Sequence, residues 1–210
     1  MIIKTAIIQL ENAIERIKNK QDIIEMNKRL NDLAITDMLT SLYNRQGLSK
    51  MLDMNKNSNE NVAILYADLD NFKYYNDTFG HDVGDIILSS FANVINNISK
   101  EKGFAVRYGG DEFLIVLRNV TRDYTIKCAK QIYSDIKDGF VDVVRNYLKK
   151  DISIPTEKLV CCSIGISFSE DSSLDNINTA LKEADNALYY MKRNTKGHYV
   201  LWEDIKWLKK

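Results

Sequence analysis

Residues 62–70, VAILYADLD, constrain the fold more than any other stretch of this 210-residue chain. The run is too apolar to lie at a surface, so it reads as a buried strand. Yet it ends on two carboxylates, Asp68 and Asp70. Residues i and i+2 of a strand point to the same face, so both acids can face one site. A second acid pair, Asp111 and Glu112, follows Gly109-Gly110. The flanking segments, FAVRY at 104–108 and EFLIVL at 112–117, read as the arms of a β-hairpin. Gly-Gly is a strong tight-turn signal because glycine tolerates positive φ.

The remaining elements alternate. VGDIILSSFANVINNI at 83–98 is an amphipathic helix, with Asp82 as its expected N-cap. Residues 125–150 read as helix broken near Gly139, LVCCSIGISFS at 159–169 as a buried strand, 177–194 as helix, and HYVLWE at 198–203 as a last strand. The order β-α-β-β-α-β predicts an α+β fold, a ferredoxin-like, antiparallel-rich sheet with helices on one face. In that topology the first strand neighbours the hairpin, which gathers three or four carboxylates. Without cations they would repel and their pKa values would rise. Hard divalent metals bound by oxygen ligands relieve the repulsion, and two such ions about 4 Å apart serve in-line attack on a phosphate. Either acid pair alone reads equally well as solvated turn residues.

Composition narrows the partners. The chain is 45% hydrophobic and carries 29 basic and 29 acidic residues, a globular balance without the basic excess of a nucleic-acid binder. Three cysteines, two of them adjacent at Cys161 and Cys162, form neither a disulfide framework nor a metal spacing and suit a reducing cytoplasm. Residues 1–35 read as one helix with an apolar stripe, Ile7, Leu10, Ile14, Ile17, Ile23, Met26, Leu30 and Leu33, that slips phase near Gln21. The stripe suggests a two-stranded coiled coil, the alternative being a helix packed on its own domain. Charges interrupt the segment too often for a membrane span or a signal core, and a sensor upstream in a longer protein is compatible with it. Residues 36–210 form the second unit.

The acid clusters lie within longer motifs. DxLTxLxNR spans Asp37 to Arg45, DLDNFKxxND Asp68 to Asp77, FGHDxGD Phe79 to Asp85, GGDEF Gly109 to Phe113, SIGI Ser163 to Ile166, and ADxALYxxK Ala184 to Lys192. With these six motifs in order, everything after the first 35 residues resembles the GGDEF-domain diguanylate cyclases. The resemblance implies a nucleotide-cyclase or polymerase-palm fold. It implies condensation of two GTP into cyclic di-GMP with release of two pyrophosphates, in a homodimer whose domains meet head-to-head. It also implies magnesium, two ions per site, with manganese as a substitute.

Roles follow position by position from that resemblance. Asp68, the Leu69 carbonyl and Asp111 match the metal ligands. Asp111 is the position usually named as proton acceptor, and Glu112 is a second candidate for base or metal contact. Asp70 is either a ligand or a support of the fold. Asn71, Phe72 and Lys73 correspond to main-chain N–H donors that cradle the phosphates at a helix start. The side chains of Lys73, Lys192 and Lys196 add positive charge, Lys196 standing where the family often has arginine. Asn76 and Asp85 match the readers of the guanine edge, and relatives making mixed cyclic GMP-AMP carry serine where Asp85 stands. His81 touches substrate or orders its loop. Asp37 and Arg45 are expected to pair, Thr40, Asn44 and Gly47 to serve turns and caps, and Cys161 and Cys162 to pack.

Two departures stand out. The family's inhibitory product motif, RxxD, is replaced by Lys100-Glu101-Lys102-Gly103, which predicts no tight feedback site because lysine lacks the guanidinium fork. The stretch from Arg122 to Lys158 exceeds the usual crossover and reads as an extended helix or helical hairpin. The competing functions are a non-catalytic GTP-binding or protein-interaction module, and a coiled-coil scaffold. Intact Asp68, Lys73, Asn76, Asp85, Asp111, Glu112 and Lys192 favour the enzyme.

Overall fold

A computed structural model describes residues 2–56, 58–136 and 139–208, with the backbone alone for 2–13, 28–32 and 139. The chain opens with helices α1 (Ile2–Ile35) and α2 (Arg45–Asn55). Strand β1 (Val62–Asp70) leads through α3 (Phe72–Phe79) and α4 (His81–Ser99) to the hairpin strands β2 (Gly103–Gly109) and β3 (Glu112–Arg118). A crossover containing α5 (Arg122–Ile136), α6 (Gly139–Leu148) and a 3-10 turn (Thr156–Lys158) reaches β4 (Cys161–Ser169). Then follow α7 (Leu174–Asn194), β5 (Tyr199–Leu201), α8 (Trp202–Ile205) and a second 3-10 turn (Lys206–Leu208).

The five strands lie in the order β2-β3-β1-β4-β5. β1 is antiparallel to both β3 and β4, β2 is antiparallel to β3, and β5 runs parallel to β4. This is the expected ferredoxin-like arrangement with an added edge strand. The last strand is shorter than 198–203, because the chain turns into α8 at Trp202.

The helices cover both faces of the sheet, not one. Ala63, Leu65, Ala67 and Leu69 pack in one cluster with Ile87 and Phe91 of α4 and with Ile132 of α5. Val62, Ile64 and Tyr66 pack in another with Leu48 and Leu52 of α2 and with Ile177, Ala180 and Ala184 of α7. The cause is the apolar run itself: every residue of β1 is buried, and a strand apolar at successive positions cannot leave a face in water. On the α7 side the approach is close. A Cβ at Gly165 of β4 would lie 2.1 Å from the Ala184 carbonyl oxygen, so the SIGI glycine and the small residues of α7 form one packing unit.

Several local expectations change. Gly80, at φ 90°, separates α3 from α4 and occupies the N-cap, which leaves Asp82 inside the first turn. In the hairpin only Gly110 has positive φ, and the tight turn is Gly110-Asp111. Asp37 does not pair with Arg45. A bridge from Tyr43 to Val106 lays this segment along β2, and β2 supplies the partners of both residues. Arg107 donates to Asp37 at 3.1 Å and to the Gly110 carbonyl at 3.0 Å, while Arg45 donates to the Tyr108 carbonyl and lies over the Tyr108 ring. Burial pushes the Asp37 carboxyl up, but hydrogen bonds from Thr40 and Arg107 outweigh it and hold the group below its ordinary value. Asn44 caps α2 as expected, accepting from the Gly47 N–H at 2.9 Å.

α1 runs through Gln21 without a break. Its Ile14, Ile17, Ile23, Ile24, Met26 and Leu33 are 57–66% exposed, so the domain does not cover them. The side chains of Ile7, Leu10 and Leu30 lie outside the described residues. Among the described residues no helix is long and apolar enough to cross a membrane.

Candidate active site

A cleft of about 470 Å³ opens where β1 ends and α3 begins. It is lined by Asp68, Leu69, Asp70, Asn71, Phe72 and Lys73 from one continuous stretch, by Asp111 from the hairpin, and by Lys192 and Lys196 from the end of α7 and beyond. The sheet order explains the convergence, since β1 is the central strand with the hairpin on one side and β4 on the other. The Leu69 N–H donates to the Asp111 carbonyl at 3.2 Å, which ties the hairpin turn to the acidic end of β1.

Asp68 is 4% exposed, and its Oδ1 accepts from Lys192 Nζ at 2.5 Å. Desolvation pushes its carboxyl up to about 6, the hydrogen bond from Lys192 opposes the rise, and the neighbouring charges of Asp111 and Asp70 add to it. Burial thus disfavours the charged form of Asp68 even with Lys192 in place. Asp68, Asp111 and Leu69 present oxygen donors, the chemistry of a hard divalent cation. Among the described residues no three acidic, histidine or cysteine side chains gather as an ion site. Two carboxylates completed by phosphate oxygens still fit an ion that arrives with a nucleotide.

Asp70 has a different occupation. Its Oδ2 accepts from the Ser163 hydroxyl at 2.5 Å and from the Gly197 N–H at 3.1 Å, and the Cys161 thiol lies 3.7 Å away. It fastens β1 to β4 and to the segment carrying Lys196. Burial, with Asp70 beside it, pushes the Cys161 thiol up to about 12, and Cys162 is fully buried.

Glu112 stands opposite Asp68 in the strand register. Its carboxylate accepts from the Tyr66 hydroxyl at 3.3 Å and does not line the cleft. Burial, reinforced by Glu112, raises the Tyr66 hydroxyl far above its ordinary value.

Asn71 adopts the left-handed conformation at φ 63°, which asparagine tolerates better than most residues. α3 starts at Phe72, so the N–H groups of its first turn, those a helix leaves without internal partners, sit beside the cleft. Asn76, His81 and Asp85 lie outside the cleft lining, on α3 and α4. Asp85 and His81 are exposed. Among the described residues the Asn76 Oδ1 is buried without a hydrogen-bond partner, and it lies against Gly84. A buried acceptor of that kind normally finds a donor.

Three cleft residues escaped the sequence reading: Tyr74, Asp77 and Lys158. Tyr74 and Asp77 belong to the DLDNFKxxND stretch, whose spacing could have indicated them. Lys158 carries no local signal, being 85 positions beyond Lys73.

Comparison with known proteins agrees with this geometry. Residues 34–198 match the model of the diguanylate cyclase GGDEF domain. Diguanylate cyclase A of Treponema denticola is 30% identical over 199 residues, which is 91% of this chain and 50% of that protein. The cyclic di-GMP phosphodiesterase PdeR of Escherichia coli is 30% identical over 198 residues, 91% of this chain and 28% of that protein. The chain thus spans half or less of these relatives. Among solved structures, the coiled coil and GGDEF domain of DgcB from Caulobacter crescentus, in complex with c-di-GMP, superposes with a TM-score of 0.73 at 21% identity, covering 90% of this chain and 97% of that one. Since the family model covers most of the chain, and the acidic strand end and the hairpin within that range meet in one cleft, this protein belongs to the GGDEF-domain diguanylate cyclase family.

Proposed function

We propose that this chain condenses two GTP molecules into cyclic di-GMP, releasing two pyrophosphates, with one GTP held by each domain of a homodimer. The observation that carries the reading is the single cleft in which Asp68 and Asp111 stand beside Lys73, Lys192 and Lys196 at the start of α3. The residues divide the work. The first-turn N–H groups from Asn71 to Lys73 receive phosphate oxygens, and the lysines balance triphosphate charge. Lys192 leaves Asp68 for the phosphates when substrate enters. Asp68, Asp111 and the Leu69 carbonyl would hold magnesium, or manganese in its place, at two ions per site. Such ions would neutralise phosphate charge and lower the pKa of the ribose 3′-OH.

Each 3′-oxygen then attacks the α-phosphorus held by the other domain, forming a new phosphodiester bond as the bond to pyrophosphate breaks. The proton passes to Asp111; Glu112, the other acceptor offered by the motif, bonds Tyr66 outside the cleft lining and would have to turn to take part. Guanine is read by Asn76 and Asp85. The partnerless buried Asn76 Oδ1 fits the guanine exocyclic amine, and adenine offers Asp85 no matching N1–H donor. A protein consuming GTP works in the cytoplasm. The exposed apolar residues of α1 support pairing of two such helices, with 1–35 as the signalling helix and 36–210 as the catalytic domain. A non-catalytic GTP-binding or interaction module is the second reading, favoured by the likeness to PdeR, whose name carries a different activity.

Incubation with GTP and magnesium, followed by chromatographic separation, tests the proposal. Cyclic di-GMP is expected from the parent, with at least a hundredfold loss in Asp111→Ala, on the order of a lost transition-state contact. GTP bound but unconverted by a confirmed dimer would overturn catalysis in favour of the module.

A further inference from the structure

The long crossover returns to the cleft. The Asn71 side-chain amide donates to the Glu157 carbonyl at 3.1 Å and to the Leu159 carbonyl at 2.9 Å. The Tyr75 hydroxyl accepts from the Val160 N–H at 3.2 Å, and Tyr75 is fully buried. The 3-10 turn Thr156–Lys158 is thus fastened at Glu157 and at the two residues that follow it to the segment that begins α3. The fastening brings Lys158 into the cleft wall, with its ammonium 5.8 Å from the centre of the Tyr74 ring. Among the described residues Lys158 enters no ion pair, whereas Lys192 is committed to Asp68.

We infer that Lys158 is a further substrate-contacting residue, delivered by the crossover to the terminal phosphates of the bound nucleoside triphosphate. The inference rests on the reading of this cleft as a GTP site. Its grounds are placement and charge. The same cleft is lined by Lys73 and Lys196 as well as by the acids at the end of β1, so it offers carboxylates to cations and ammonium groups to phosphates. A lysine ammonium makes a compact, strongly hydrated point charge that pairs with phosphate without demanding one geometry. The Tyr74 ring restrains it near the wall without neutralising it. The anchor is the asparagine that opens α3, so the turn bearing Lys158 and the phosphate-receiving helix start are held as one piece. The role therefore concerns the phosphates, and neither base choice nor chemistry at the α-phosphorus.

Calorimetric titration with 3′-deoxy-GTP, which lacks the attacking hydroxyl, and with GMP tests this on the full chain in magnesium buffer. Lys158→Gln is expected to weaken 3′-deoxy-GTP about five- to tenfold, the scale of one partly exposed charged contact, and to leave GMP unchanged. Lys158→Arg is expected to stay within about twofold of the parent. Lys150→Gln, an exposed change on the same crossover, controls for net charge. Unchanged triphosphate affinity in Lys158→Gln would overturn the role, as would an equal loss for both nucleotides or the same loss in Lys150→Gln. Failure of the parent to bind 3′-deoxy-GTP would instead remove the GTP-site reading, and this inference with it.

Discussion

Asp68 shows what burial does to an acid at the end of a strand. Desolvation first, then Asp111 and Asp70, raise its carboxyl to about 6 against the opposing bond from Lys192. A carboxyl whose folded pKa is raised stabilises the fold below its unfolded value, and the contribution is lost as pH rises through the folded pKa. In metal-free protein this loss falls between about pH 4 and pH 6. Asp68→Asn is therefore expected to raise the melting temperature of the metal-free protein relative to parent at pH 7.5 and to gain little at pH 4.5. Magnesium at pH 7.5 should stabilise the parent and leave the variant unmoved. Thermal scans at both pH values read this directly, and a parent indifferent to magnesium alone and to magnesium with nucleotide would contradict the assignment. Asp70, two residues on, differs in kind. Its Oδ2 bonds to Ser163 and Gly197 tie β1 to β4 and to the segment after α7, which favours the supporting role over ligation.

Among the elements, the β2–β3 hairpin and its surroundings bear on the expectation of no tight feedback site. Lys100, Glu101, Lys102 and Gly103 do line a second cleft, of about 430 Å³, together with Arg118. Arg118 supplies the guanidinium there, but it already donates to Ser58 at 2.8 Å and to Glu60 at 2.6 Å, and bonds Asn55 as well. Recruiting it for a guanine would break a half-buried network, at a cost of the order of 1–3 kcal/mol. Cyclic di-GMP is accordingly expected to bind at this cleft more weakly than about 10 µM, roughly −7 kcal/mol. Titration of the product into Asp111→Ala protein measures it, and submicromolar capture that Lys102→Ala abolishes would refute the expectation.

At the scale of the whole molecule, the catalytic proposal needs two chains, and α1 is the element that offers to join them. Ile14, Ile17 and Ile24 share a helical face and remain 58–59% exposed. Burying such side chains against a second copy is worth roughly 1.5–3 kcal/mol each at full burial. The double change Ile17→Glu and Ile24→Glu should therefore shift the dimerisation midpoint in analytical ultracentrifugation by more than about tenfold. Specific activity at low protein concentration should fall in parallel, while GTP affinity per chain stays constant. An unaltered midpoint would remove α1 from the interface.

The sequence by itself determined the strand order, the helices at 1–35, 83–98, 125–150 and 177–194, the acidic end of β1, the presence of the hairpin and the motif positions, because each rests on short-range periodicity and turn chemistry. It also marked the long crossover. Contacts between distant segments were decided only in three dimensions. Asp37 chose Arg107 over Arg45 because a bridge laid the segment along β2. Helices covered both faces because β1 is apolar at successive positions, a fact present in the residues but decisive only when helices compete for its surface. Lys192 settled on Asp68, and Lys158 reached the cleft through hydrogen bonds made by residues 71 and 75. Local sequence encodes backbone preference; which charges meet depends on packing that brings residues far apart in the chain to within a few ångströms.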